Sequence, residues 1–193
     1  DAEVHLAMKK QFDRIKNNSF TNQNLRDVKD IAEVMINFKP EIVIHLASNV
    51  SNHILDCQED INCIINLLKE SRIHNIKKFI FTSSAAVYGD SYPKTIPINP
   101  YGIAKLQCEQ WCDYYSELGL NVIILRLSNV YGKGGKGVVN QFITRLKEKL
   151  PLTIYGDGMQ IRDYVYIDDV IEVIENYIET KNWDNFECFE VGT

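Results

Sequence analysis

The sequence predicts an α/β protein with a doubly wound parallel sheet, and three features of its 193 residues lead to that prediction. Segments with strand-like and helix-like patterns alternate along the chain, which is the order found in consecutive βαβ units. Runs at 41–47, 77–84 and 121–127 are largely apolar and contain β-branched residues. Such runs are typical of strands that are buried on both faces by flanking helices.

The first half of the chain supplies elements that can be assigned from their patterns. Apolar side chains recur at helical spacing at 2–16, and they do so again at 26–38, where Pro40 ends the helix. In order, the predicted elements are a helix at 2–16, a short strand at 19–25, a helix at 26–38, a strand at 41–47, a helix at 58–72 and a strand at 77–84.

The second half continues the alternation after a loop that contains three prolines. The predicted elements are a helix at 101–118, a strand at 121–127, a helix at 138–149, a strand at 152–155, a turn at 156–158, a strand at 162–167, a helix at 168–179 and a last strand at 188–191. Strands separated by helices of this length predict parallel rather than hairpin pairing.

Composition narrows the classes of function. The net charge of −5 argues against a nucleic-acid-binding surface. No apolar run approaches the ~18 residues of a membrane span, and the N-terminal residues lack the layout of a signal peptide. We therefore expect no membrane partner and a cytoplasmic location. The five cysteines are irregularly spaced, which favours reduced thiols near the core, and we expect no bound metal.

A tyrosine and a lysine four positions apart, Tyr101 and Lys105, stand in the stretch NPYGIAK at the start of a predicted helix. Chance produces about one such pair in a chain with this many tyrosines and lysines. The same spacing recurs at Tyr177 and Lys181, where a solvated helix end explains it. Spacing alone therefore does not mark a site, and the surroundings have to decide.

The surroundings of Tyr101 favour a site. Ligands bind outside the carboxyl ends of parallel strands, and strand 77–84 finishes there in hydroxyl-bearing residues that end at Ser84. Positions i and i+4 of a helix share a face, so the ammonium of Lys105 can lie near the Tyr101 phenol and lower its pKa. With Ser84 holding a substrate oxygen, Tyr101 would act as a general base that takes a proton from an alcohol while a hydride leaves its carbon.

Six segments of the chain form a longer pattern: PEIVIHLAS (40–48), NLLKESRIHNIKKFIFTSSAAVYG (66–89), NPYGIAK (99–105), VIILRLSNVYG (122–132), PLTIYGDGMQIRDYVYIDDV (151–170) and FEVGT (189–193). In this order they resemble the extended short-chain dehydrogenases/reductases, specifically the NAD-dependent nucleotide-sugar epimerase/dehydratase family. The resemblance implies a Rossmann-like core over 1–128, incomplete at its N-terminus. It also implies that 129–193 holds mostly substrate-side segments of a small subdomain, interleaved with the last part of the core.

The resemblance implies roles for individual residues. Ser84, Tyr101 and Lys105 match the family's catalytic set, with Tyr101 as base, Lys105 on the nicotinamide ribose and Ser84 on the reacting hydroxyl. The positions that match its NAD contacts are Asn24, Leu25, Leu46, Ala47, Ser48, Asp60, Thr82, Ser83, Tyr101 and Lys105. The positions that match its contacts to a nucleotide sugar are Ser84, Asn129, Val138, Tyr155 and Arg162. Alternatively, Arg162 forms a surface salt bridge with a neighbouring aspartate, and Asn129 is a turn residue.

The two residues after Ser84 discriminate among reactions of the family. Sugar dehydratases typically have acidic residues there, whereas this chain has Ala85 and Ala86, which cannot serve as an extra acid and base. The resemblance therefore points to an NAD-dependent UDP-hexose 4-epimerase that oxidises and re-reduces C4. A UDP-uronate decarboxylase and a keto-sugar reductase or dehydratase remain alternatives.

A homodimer through helix 101–118 is also implied by the resemblance. The side chains offered for that contact are Leu106, Trp111, Tyr114 and Tyr115. Packing within one subunit explains any single one of them equally well.

The chain departs from the family's pattern in three places. Family members begin with a strand, a Gly-x-x-Gly-x-x-Gly loop and a helix that hold the cofactor pyrophosphate, but the first glycine here is Gly89. Asn24 and Asp60 stand where the family usually has an aspartate and an asparagine. A non-catalytic relative that acts as a binding or structural module is therefore a second hypothesis. The glycine-rich stretch 133–137 could contact phosphate through its two lysines, but it lacks P-loop spacing, and we expect a solvated loop there.

Overall fold

The computed structural model describes residues 24–181 and 183–192, and these form an α/β structure. Its helices are α1 (Val28–Phe38), α2 (Ile54–Ile73), α3 (Pro100–Glu117), α4 (Val138–Lys147) and α5 (Ile167–Glu179), with a 3₁₀ turn at Ala85–Tyr88. Its strands are β1 (Ile42–His45), β2 (Lys78–Ser84), β3 (Asn121–Leu127), β4 (Asn129–Tyr131), β5 (Tyr164–Tyr166) and β6 (Phe186–Val191).

The main sheet has four strands in the order β1-β2-β3-β6, and all its pairings are parallel. Ser84 at the end of β2 lies opposite Leu127 of β3, which in turn lies opposite Val191 of β6. The carboxyl ends of these strands therefore meet at one edge of the sheet, where ligand sites of such sheets lie. A second, two-stranded parallel sheet pairs β4 with β5.

The sheet is covered by core on both faces, as a doubly wound arrangement requires. Alternate residues of β3 point to opposite sides, so Val122 and Ile124 join one buried cluster while Ile123 and Leu125 join the other. The first cluster packs α1, α2 and α3 against the sheet, and the second packs α5. The prediction of a doubly wound parallel sheet is confirmed.

Not every predicted element is found among the described residues. The predicted helix at 2–16 and most of the strand at 19–25 fall outside the described residues, and the described end of that strand, 24–25, lies in the turn that leads to α1. The predicted strand at 152–155 is wrong. Ile154 and Tyr155 are exposed there, and among the described residues no strand pairs with this stretch. Strand β4 and the 3₁₀ turn were not predicted.

Candidate active site

The first turn of α3 is fixed by its own sequence. Asn99 is the N-cap, and its side-chain oxygen accepts a 2.8 Å hydrogen bond from the backbone N–H of Gly102. Pro100 follows at the first helical position, where its missing N–H costs nothing. These residues start the helix at one defined place, and so they set the position of Tyr101 in its first turn.

Gly102 lets α3 approach the turn that follows Ser84. A Cβ atom at this position would lie 2.4 Å from the backbone oxygen of Ala86 and 3.0 Å from Cβ of Pro97. No side chain fits at those distances without backbone movement. The glycine therefore brings the helix that carries Tyr101 against the 3₁₀ turn that Ser84 caps.

Lys105 lies one helical turn beyond Tyr101 on the same face of α3, and its side chain is buried. Its Nζ donates a 2.9 Å hydrogen bond to the backbone oxygen of Thr82 in β2. The same ammonium lies 4.9 Å from the ring centre of Phe81 and 5.8 Å from that of Tyr101. A cation is thus held beside the phenol by a bond to the neighbouring strand.

The pKa of the Tyr101 phenol differs from the sequence-based expectation. Burial raises this pKa above its usual value, while an interaction with the Ser84 hydroxyl opposes the rise, and the charge of Asp60 adds to it. Burial also lowers the pKa of Lys105. The expected net lowering of the Tyr101 pKa by Lys105 is therefore wrong for this structure, since desolvation of the phenol outweighs the favourable contacts.

A cavity of about 450 Å³ opens at the carboxyl ends of the strands. Nine of the predicted site residues line it: Leu46, Ser48, Thr82, Ser83, Ser84, Tyr101, Lys105, Asn129 and Val138. The structure thus brings together the three predicted catalytic residues, one part of the predicted cofactor set and three residues of the predicted substrate set, of which Ser84 is also in the catalytic set. Their individual roles stay predictions.

Two more predicted residues, Ala47 and Asp60, lie behind Tyr101 rather than on the main cavity. They line a chamber of about 10 Å³ together with His45 and Lys105. The Asp60 carboxylate accepts hydrogen bonds from the Ser48 hydroxyl at 2.6 Å and from the backbone N–H of Asn49 at 2.9 Å. Asp60 therefore holds the segment that follows β1 beside the site.

Four predicted residues lie away from both spaces. Asn24 accepts a hydrogen bond from the backbone N–H of Arg26 at the start of α1, and Leu25 packs at the border of the first core cluster. Tyr155 has 82% of its surface exposed, and Arg162, also exposed, donates to the backbone oxygen of Ile161. Neither Tyr155 nor Arg162 lines the cavity.

Sequence reasoning missed several residues of the cavity. The loop expected at 133–137 is present and Lys136 is exposed in it, but Gly135, Lys136 and Gly137 also line the cavity. Tyr131 and Tyr164 also line it, from the small β4–β5 sheet. Their position depends on the pairing of β4 with β5, in which partner residues such as Asn129 and Tyr164 are 35 positions apart, and the local sequence carries no signal for it. The two lysines of the stretch 133–137 were the only hint of an anionic ligand there.

Comparison with known proteins decides the family. The model of the NAD dependent epimerase/dehydratase family matches residues 2–192 of this chain. The chain belongs to this family. A putative UDP-glucose 4-epimerase from Methanocaldococcus jannaschii is 37% identical over 195 residues, which cover 90% of this chain and 62% of that protein. An uncharacterized UDP-glucose epimerase from Bacillus subtilis is 32% identical over 88% of this chain and 56% of its own length.

Solved structures of family members share the fold. UDP-glucose 4-epimerase from Thermotoga maritima, crystallised with UDP-glucose, superposes with a TM-score of 0.83 at 30% identity, over 98% of this chain and 73% of that one. UDP-glucuronic acid 4-epimerase from Bacillus cereus, in complex with UDP-glucuronic acid and NAD, superposes with a TM-score of 0.85 at 28% identity. The match covers 99% of this chain and 65% of that one. The chain spans less than two thirds of the curated relatives named above.

The described residues offer neither a membrane span nor a metal site. Among them, no helix is both long and apolar enough to cross a membrane. No three of their His, Cys, Asp and Glu side chains cluster as a metal site would need.

Proposed function

We propose that this family member is an NAD-dependent nucleotide-sugar epimerase that inverts C4 of a UDP-hexose. The observation that carries the proposal is the chemistry of the cavity. Ser84, Tyr101 and Lys105 stand at one place on its wall, and none of the described residues that line it is an aspartate or glutamate. Epimerisation through a keto sugar needs one proton-transfer group, whereas elimination of water needs an additional acid and base.

The chain's own residues would handle the proton. Tyr101 takes the proton of the C4 hydroxyl through its phenolate oxygen as the C4–H bond breaks, and it returns that proton after the keto sugar has turned. Ser84 holds the reacting oxygen, and its hydroxyl opposes the rise in the Tyr101 pKa caused by burial. The 3₁₀ turn after Ser84 presents Ala85 and Ala86, so no carboxylate of that turn competes for the proton.

The residues present fit the nicotinamide–ribose end of NAD. An ammonium has three donors, so Lys105 can keep its bond to Thr82 and still bind a ribose oxygen from the cavity. When bound, NAD supplies the hydride acceptor and donor for C4 and a positive charge that favours the phenolate. The sequence has no glycine before Gly89, so the proposal assigns the pyrophosphate to no residue of this chain.

A second group of residues on the cavity suits an anionic nucleotide. Lys136 and Val138, the first residue of α4, are among the residues that line the cavity, and α4 has no side-chain cap on its first N–H groups. Asn129 also lines the cavity, and its side-chain nitrogen donates a 2.9 Å hydrogen bond to the backbone oxygen of Asp163. We include Tyr155 and Arg162 in the substrate set on the resemblance alone, since both are exposed here.

The proposal includes a homodimer through α3. Trp111 and Tyr114 are 37% and 53% exposed on this helix, and Ile103 and Leu118 expose further apolar surface. Tyr115 instead packs against the first core cluster, so its part in such a contact is smaller. Sedimentation of wild-type protein against a Trp111→Glu/Tyr114→Lys variant tests this, since only the wild type should sediment as a dimer.

The experiment for the function uses the full-length protein with NAD and a panel of UDP-hexoses and UDP-uronic acids. We expect interconversion at C4, read by chromatography or NMR, and loss of it in Tyr101→Phe. Release of carbon dioxide or water from the sugar would assign one of the other reactions of the family. Absence of any turnover together with absence of NAD binding would favour a non-catalytic module.

A further inference from the structure

A buried ion pair lies beneath the site. Glu109 follows Tyr101 and Lys105 on the same face of α3, and only 5% of its surface is exposed. Its two carboxylate oxygens accept hydrogen bonds from Nε and Nη2 of Arg126 on β3, at 3.0 and 2.6 Å. The Ser83 hydroxyl donates to the same carboxylate. One side chain of the helix is thus bonded to two strands of the sheet.

Arg126 extends this network to the turn after β2. Its Nη1 donates a 2.7 Å hydrogen bond to the Tyr88 hydroxyl, and its guanidinium lies 5.0 Å from the centre of the Tyr88 ring. The Tyr88 hydroxyl in turn donates to Glu190 of β6 at 2.6 Å. Burial, followed by the hydrogen bond to Glu190, raises the pKa of Tyr88 to about 12, so the hydroxyl keeps its proton at neutral pH.

The network bonds the chain on both sides of Ser84. Ser83 precedes it in β2, and Tyr88 closes the 3₁₀ turn that Ser84 caps. Both are bonded to the Glu109–Arg126 pair, while Tyr101 and Lys105 lie on the helix that carries Glu109. Neither Glu109 nor Arg126 lines the cavity, so substrate binding does not explain them.

Stability does not explain the pair either. Moving two charges out of water costs about as much as their mutual attraction returns, and an apolar pair of similar volume is often as stable. A bidentate guanidinium–carboxylate contact does, however, impose a direction as well as a distance. The Glu109–Arg126 pair therefore fixes the relative position of α3 and β3, which an apolar pair would do less strictly.

We propose that Glu109 and Arg126 form a positioning unit that holds Ser84 on β2 at the correct distance from Tyr101 and Lys105 on α3. The inference deepens the proposed function and rests on it for its kinetic readout. Both residues act through others, and neither touches the reacting atoms.

The test compares Glu109→Gln with Ser84→Ala in the full-length protein. If the pair positions Ser84, Glu109→Gln weakens the contact between Ser84 and Tyr101, and the Tyr101 pKa rises as it does in Ser84→Ala. The acidic limb of the kcat/KM profile then moves to higher pH. The loss of kcat is about 10- to 100-fold, as misplacement by about an ångström produces, while KM stays within about threefold.

The direction of the shift separates positioning from a simple charge effect. Loss of the negative charge of Glu109 would by itself lower the Tyr101 pKa, which is opposite to the expected change. The ionisable groups that act on Tyr101 from the helices around it are Asp60 and Cys57 of α2 and Lys105 and Cys108 of α3. All of them are unchanged in the variant.

Two controls keep the result interpretable. Ile171 lies in the core cluster on the other face of the sheet and does not contact the network. Ile171→Ala should therefore lower the melting temperature without disturbing the position of Ser84, and it controls for a general loss of stability. Glu109→Leu/Arg126→Met removes both charges, which should restore stability but not kcat. If Glu109→Gln does not fold, Arg126→Lys replaces it in the test. This variant keeps the positive charge but loses the guanidinium group that bonds Glu109 and Tyr88 together, so the same rise in the Tyr101 pKa is expected.

The titration of Tyr101 can also be read without turnover, from ¹³C-labelled tyrosine spectra assigned with Tyr101→Phe. A raised Tyr101 pKa in Glu109→Gln supports the positioning unit even if wild-type protein epimerises no UDP-sugar, in which case only the proposed function fails. An unchanged or lowered pKa overturns the inference. So does a kcat per folded molecule equal to that of Ile171→Ala.

Discussion

The ammonium of Lys105 is bonded to the backbone oxygen of Thr82 at 2.9 Å and lies 5.8 Å from the centre of the Tyr101 ring. The bond joins α3 to β2 at the point where the sheet ends. A lysine with this anchor cannot swing into solvent, so its charge stays beside the phenol.

The two tyrosine–lysine pairs of identical spacing allow a matched comparison. Tyr101→Phe and Lys105→Met should each lower kcat/KM about 10²- to 10⁴-fold, because they remove the proton-transfer group and its cation. Tyr177→Phe and Lys181→Met should leave kcat/KM near the wild-type value, since neither residue lines the cavity. Steady-state kinetics on the four variants checks this. Equal losses in the two pairs would contradict the assignment.

Gly102→Ala should impair the enzyme without touching any reacting group. The added methyl would lie 2.4 Å from the backbone oxygen of Ala86, so α3 must move away from the turn after Ser84. We expect about 1–3 kcal/mol of destabilisation and a fall in kcat at nearly constant KM. Gly119→Ser is a suitable control, since its Cβ has nothing within 4 Å, although its positive φ costs some stability. Urea unfolding and kinetics measure both effects.

Asp60→Asn should move the pH optimum downward. The carboxylate of Asp60 raises the pKa of both Tyr101 and Lys105, so removing its charge lowers both. Both limbs of the kcat/KM profile should therefore shift to lower pH. Asp56→Asn, one turn earlier on α2, makes the same change in net charge, and it should shift neither limb because Asp56 is not among the charges that act on Tyr101 or Lys105. A shift to higher pH in Asp60→Asn would contradict this account.

His45 should make the protein acid-sensitive. Burial, aided by the charge of Lys105, lowers the pKa of this histidine from 6.5 to about 3. Below pH 6.5 the unfolded chain binds a proton there while the folded chain does not, so the free energy of unfolding falls as the pH drops toward 3. The slope from this group is at most about 1.4 kcal/mol per pH unit.

Urea unfolding at pH 7.5 and 5.0 measures that dependence. His45→Phe, whose ring can stack on Phe81 as the imidazole does, should show a smaller drop between the two pH values than wild type. His53→Asn at the exposed start of α2 should retain the wild-type drop. A drop in His45→Phe as large as in wild type would assign the acid sensitivity to other groups.

Much of the fold was predictable because its signals are local. The apolar runs that form β2 and β3 were predicted as buried strands. A strand that is covered on both faces is apolar at nearly every position, and this continuous run is visible in the sequence. The start of the helix that carries Tyr101 could be predicted as well, because Pro100 and Asn99 act within one turn of it. The stretch 152–155 has the same kind of local pattern but no described partner strand, and so the prediction there was wrong.

For the candidate site, sequence alone was enough to select Ser84, Tyr101 and Lys105, because strand end and helix start are consecutive along the chain and a helix places i and i+4 on one face. Tertiary structure decided the rest. It brought Lys136 to the cavity, left Arg162 exposed, and joined Glu109 to Arg126 beneath Ser84. It also reversed the expected direction of the Tyr101 pKa, because burial depends on residues that surround the phenol from several elements and that no local spacing reveals.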